Sequence, residues 1–115
     1  MIEVKELRIG NWVHVEEQDG DRYEYPVASI HEWYLLVGNQ EVRQPSIDRV
    51  FPIPLTWLNV LGLAVSYEVE SLFEVYLINE TVWMSCNEEY HTSLENIKYV
   101  HQWQNLHYAL TGSDL

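Results

Sequence analysis

Turn-forming residues cut the first half of the chain into pieces too short for helices. Between residues 7 and 54, Gln18-Asp19-Gly20-Asp21 and Gly38-Asn39 separate apolar stretches, and Pro26, Pro52 and Pro54 remove backbone donors. What remains are runs of four to eight residues, the length of strands. Leu7, Ile9 and Trp12-Val13-His14-Val15 lead into the first turn, where Asp-Gly supplies the positive φ of a tight hairpin. Tyr23, Tyr25, Val27 and the stretch to Ile30 alternate again, and Pro26 favours an edge position. Trp33-Tyr34-Leu35-Leu36-Val37 is a continuous apolar run and predicts a strand buried on both faces. Glu41-Val42-Arg43 and Ile47 to Val50 continue the series. Several short strands at this spacing predict a small SH3-like β-barrel or a bent sheet over residues 7–54.

The remainder reads as two further segments of one compact domain, 1–115. In 55–90, Thr56 is placed to cap a short helix through Trp57, Leu58, Val60 and Leu61, stopped by Gly62. Tyr67, Val69, Ser71, Phe73, Val75 and Leu77 then occupy alternate positions with Glu68, Glu70 and Glu74 between them, the period of a strand with one wet face. Asn79-Glu80 turns this strand into Val82-Trp83-Met84-Ser85-Cys86, a β-hairpin. From Ser93 to Thr111 nothing breaks a helix, and Gly112 stands where a left-handed cap belongs. Tyr99, Trp103, Leu106 and Leu110 share one face of that helix, predicted to cover the sheet. The fold class expected is therefore α+β: an N-terminal barrel or bent sheet, a short helix, a hairpin, and a long C-terminal helix (93–111) packed on the sheet. A chain of 13.6 kDa buries about two-thirds of its unfolded surface. Hydrophobic residues make up 47%, which excludes a disordered chain.

The last helix also carries a resemblance. Ile97-Lys98-Tyr99-Val100-His101-Gln102, Gln104-Asn105-Leu106 and Tyr108-Ala109-Leu110-Thr111-Gly112 resemble the C-terminal signature of a family of short uncharacterised proteins from gut Bacteroidetes and their phages and mobile elements. Glu6-Leu7-Arg8-Ile9-Gly10-Asn11 and Pro52-Ile53-Pro54-Leu55-Thr56 are similar to that family too. The sequence departs from it at Trp103, where the family pattern has Leu, and at His107, where it has an aromatic residue. The resemblance covers about a quarter of the chain and implies a phage or mobile-element setting, with no activity attached.

Charge narrows the function classes. Eighteen Asp and Glu stand against six Lys and Arg, a formal net charge of −12. The basic residues (Lys5, Arg8, Arg22, Arg43, Arg49 and Lys98) are scattered among carboxylates. This disfavours direct nucleic-acid binding, which needs a positive stripe, and adhesion to an anionic membrane. One cysteine, charges at the N-terminus and only short apolar runs point to a cytoplasmic chain without a membrane span. The acidic surplus admits an alternative function, an acidic decoy that inhibits a host nucleic-acid-binding protein. Net charge far from zero also simply keeps an aromatic-rich domain soluble.

Chemistry-bearing residues do not assemble into a catalytic pattern. His101 and His107 are six apart, on different sides of a helix, and no His-x-x-x-His or paired-cysteine spacing marks a metal site. Cys86 and His91 are near in sequence, but no glycine-flanked elbow surrounds the thiol, which reads as a small apolar strand residue. Neighbouring carboxylates such as Glu16-Glu17 and Glu88-Glu89 point to opposite faces of an extended chain. The expectation is no catalytic residue, no metal and no cofactor. Ile97, His101, Gln104 and Tyr108 form a second stripe on the helix, about 160° from the core face, which is either a protein contact, a side of the helix packed within its own domain, or an ordinary wet face. His101, Gln104 and Tyr108 are the candidate contact residues for an unknown protein partner or a homo-oligomer. The function expected is a non-enzymatic accessory protein acting through protein–protein contacts.

Overall fold

A computed structural model describes every residue except 1, 3, 33, 44–48, 71 and 87–89. The chain divides into two compact units, Met1–Ile53 and Pro54–Leu115.

The first unit is an antiparallel sheet of β1 (Trp12–Glu16), β2 (Arg22–Ile30), β3 (Tyr34–Val37), β4 (Gln40–Arg43) and β5 (Val50–Phe51), in the order β4-β3-β2-β1-β5. The β1–β2 turn forms as its Asp-Gly pair dictates: Gly20 takes φ +86° and the Asp21 N–H donates to Asp19 Oδ1 at 2.9 Å. One face carries the core, with Val13, Val15, Val27, Leu35, Val37, Val42 and Val50 buried against Ile2 and Leu7. β3 alternates between fully and partly buried positions, so it is covered on one face and not on both. Pro26 lies on an inner strand, not on an edge. Val27 donates its N–H to Asn11 on the β1 side, so the Pro26 nitrogen faces the other side, one residue before the first β3 pair, Val27 with Val37. There the missing donor breaks no ladder bond. Ile47 lies outside the described residues.

The second unit opens on a 3-10 turn (Leu55–Trp57) and continues with β6 (Tyr67–Val69), β7 (Phe73–Ile78), β8 (Thr81–Cys86), β9 (Tyr90–Ser93) and α1 (Val100–Thr111). The four strands form an antiparallel sheet in sequence order. Val69, Val75 and Val82 are buried on the face that also holds Tyr67. Tyr67 meets the α1 residues Trp103 and His107 edge-on, with ring centroids 5.8 and 4.5 Å away. Trp103 is fully buried, and its indole N–H donates to the Leu63 carbonyl at 3.0 Å.

Five expectations are corrected here. The α+β balance is overturned: among the described residues, nine strands in two antiparallel sheets accompany one α-helix of 12 residues. The N-terminal strands do not close into an SH3-like barrel. β4 and β5 are the two edges, and no pairing among the described residues joins them. The long helix over 93–111 starts only at Val100. Tyr90–Ser93 is recruited as β9, and the Leu94 N–H donates to Val82 O at 2.8 Å, so long-range pairing takes residues whose local preference permitted a helix. Helix entry is then fixed by Gln102, whose Oε1 accepts the N–H groups of Lys98 (2.7 Å) and Tyr99 (3.2 Å). Gly112, φ +75°, ends it as expected. The hairpin becomes four strands because the alternating run from Tyr67 folds back at Glu70, φ +51°, and β9 pairs with the far side of β8. The short helix is only the 3-10 turn, followed by turns as far as Gly62.

Candidate functional site

In the second unit three walls enclose a trough. The first is the 3-10 turn, started by Pro54 (φ −61°, ψ 153°) and anchored by the buried Leu55 and Leu58, which leaves Thr56 exposed between them. The second is the β7–β8 turn, where Asn79 and Glu80 both take positive φ (49° and 67°), the geometry of a tight hairpin turn. The third is the bend before α1, closed by the Ile97 N–H donating to Leu94 O at 3.1 Å. A bridge between Pro54 and Tyr99 ties the first wall to the third.

Three open clefts run along these walls. One of about 580 Å³ lies between Leu55, Leu58, Asn59, Ser66 and Leu77. A second, about 360 Å³, shares Leu55, Thr56 and Glu80 with the first. A third, about 460 Å³, shares Leu94, Glu95 and Ile97 with the second and reaches Leu106. The first and third share no residue, so the three follow one another in line. Leucine and isoleucine side chains line them together with Glu80, Glu95, Lys98 and uncharged polar groups such as Asn59 and Ser66. No histidine or cysteine lines these three clefts.

The contact residues proposed from sequence do not form one exposed stripe. His101 is buried at 1% exposure, with its ring stacked on Tyr99, centroids 6.0 Å apart. Gln104 is half-buried and Tyr108 is 42% exposed. The first turn of α1 buries Val100 and His101 alike, as in a helix packed on both sides within its own domain. The residues lining the trough were missed because they come from three separate turns. Only the Pro52-Ile53-Pro54 punctuation and Asn79-Glu80 hinted at them.

The groups considered for catalysis and metal binding stand apart. Register puts Cys86 opposite Phe73 and Tyr90, and His91 opposite Ser85, so thiol and imidazole project from opposite faces of the sheet. His91 Nδ1 lies 2.8 Å from Tyr76 Oη instead. His14 is buried in β1, where desolvation lowers its pKa below 6.5 against the opposing pull of Glu24. His107 Nδ1 sits 2.8 Å from Ser113 O in the C-terminal cap. Burial pushes the Tyr67 hydroxyl up to about 12. Glu88 and Glu89 lie outside the described residues. Among the described residues no group of three His, Cys, Asp or Glu side chains is placed to hold a metal ion. Likewise, no described helix is long and apolar enough to cross a membrane.

Comparison with known proteins gives no relative: no family model, no curated protein and no solved structure matches the chain.

Proposed function

We propose that this chain is a non-enzymatic accessory protein that works by protein–protein contact, taking an extended apolar segment of its partner into the trough of the second unit. The observation that carries this reading is the linear sharing of lining residues among the three clefts. A succession of shallow hollows, in which leucine and isoleucine side chains lie beside polar groups, suits alternate side chains of an extended peptide, whereas a small-molecule site encloses most of its ligand in one pocket. A phage or mobile-element setting in the cytoplasm belongs to the same reading and rests on the resemblance of residues 97–112.

Selection of a random peptide library against the chain, followed by calorimetry on the enriched peptides, tests it. Thr56→Trp fills the junction of the first two clefts from an exposed position. It should weaken the peptides at least about tenfold, the loss of roughly one well-buried anchor, without lowering the thermal midpoint. Unchanged affinity would refute the trough, and loss on Tyr108→Ala instead would move the contact to α1.

A second reading, the acidic decoy, has its own support. Residues 54–115 carry eight carboxylates and one lysine. Binding of that kind collapses between low and high salt, whereas apolar seating in the trough survives.

A further inference from the structure

The β6–β9 sheet has a second face, opposite Tyr67, Val69, Val75 and Val82. Register assigns its rows: Glu68, Glu74, Ser85 and His91 lie across the sheet in one row, Tyr76, Trp83 and Ser93 in the next. Glu68 and Glu74 are exposed and directly opposed, an arrangement of like charges that is destabilising in a sheet. Tyr76 and Trp83 are half-buried, and Ile78 at the end of the face is 50% exposed.

The first unit contains the same ingredients in completed form. There the Arg22 guanidinium lies 3.6 Å from the centroid of the Phe51 ring and 3.9 Å from a carboxylate oxygen of Glu16. The second unit repeats aromatic rings beside carboxylates, yet residues 54–115 contain no arginine. Their one cation, Lys98, lies before α1, outside the sheet.

We propose that this face binds an arginine-bearing segment of another protein, whose guanidinium stacks on the Tyr76–Trp83 row and pairs with Glu68 and Glu74. The proposal rests on the electrostatic reading above and gives it a place on the molecule. A guanidinium suits the face better than an ammonium because its plane stacks on rings while its edge meets carboxylates. The opposed carboxylates lose their mutual repulsion when a cation lies between them.

The test is calorimetry at low ionic strength with amidated peptides alternating serine with arginine, lysine or glutamine, and amide chemical shifts to locate the contact. The arginine peptide should bind most tightly, the lysine peptide less so, and the glutamine peptide not at all, with shifts concentrated in β7 and β8. Glu68→Gln with Glu74→Gln should weaken the arginine peptide about fivefold, the sum of two exposed ion pairs. Glu6→Gln with Glu32→Gln removes the same charge from exposed positions outside this sheet and should cost less than about twofold. Trp83→Leu should bring the arginine peptide down to the lysine peptide's affinity.

Equal weakening by the two double variants would overturn the assignment to this face while leaving a diffuse electrostatic attraction standing. No binding by either cationic peptide would overturn both. Self-association in sedimentation, with shifts on this face, would replace the partner by a second copy and overturn the proposal.

Discussion

Trp103 is the side chain on which the helix-to-sheet packing of the second unit depends most, and its contribution separates into two parts. The ring is fully buried, edge-on to Tyr67 at 5.8 Å, and its N–H satisfies Leu63 O at 3.0 Å. Trp103→Ala loses the whole ring and leaves a cavity, which costs about 3–5 kcal/mol. Trp103→Phe keeps most of the apolar area and removes the donor, leaving the Leu63 carbonyl to find another partner, for about 1–3 kcal/mol. Against a total stability of about 5–15 kcal/mol, the alanine variant should be severely weakened and the phenylalanine variant intermediate. Urea denaturation followed by far-ultraviolet circular dichroism reads both, provided the denaturant slope stays constant. If both variants fall within about 0.5 kcal/mol of the parent, the level of a neutral surface change, Trp103 does not hold the helix and the packing argument fails.

Gly38 stands at φ +58° with an added Cβ only 2.8 Å from Tyr25 Cδ1, whereas Gly20 at φ +86° faces open space. Gly38→Ala should therefore cost about 2–4 kcal/mol and Gly20→Ala about 1–2, the difference being the clash with the ring; equal denaturation midpoints would contradict it. His14 has its pKa lowered by burial, so the unfolded chain takes up its proton first on acidification. The stability due to neutral His14 is present above about pH 6.5 and declines as pH falls toward the lower folded value, and His14→Gln should flatten that part of a pH–stability curve. The Tyr67 hydroxyl, at about 12, should ionise last in a tyrosinate absorbance titration. Since its folded value is raised, its share of stability is intact below about pH 10 and lost as pH rises toward 12. Tyr67→Phe should delete that late step.

The sequence by itself determined the features that depend on a few neighbouring residues. Asp19-Gly20 makes a hairpin because the chain there needs a positive φ that glycine supplies without strain. Gly112 ends α1 for the same reason, and Trp103 lies inside as its spacing required. Alternation from Tyr67 to Leu77 correctly indicated strand, because the period of two survives whether the run is one strand or is folded at Glu70 into two.

Only the tertiary structure decided where long-range partners compete with local preference. Ser93 and Leu94 would continue a helix, but β8 offers backbone partners that an isolated segment lacks, so the helix is shortened and β9 gained. Whether the second stripe is covered stays open in the sequence, because an amphipathic pattern identifies one covered face and says nothing of a second; in the fold its His101 is buried. The trough and the Glu68–Glu74–Tyr76–Trp83 face follow the same rule. Each is built from residues separated along the chain, and strand register or turn packing, which no local propensity encodes, brings them together.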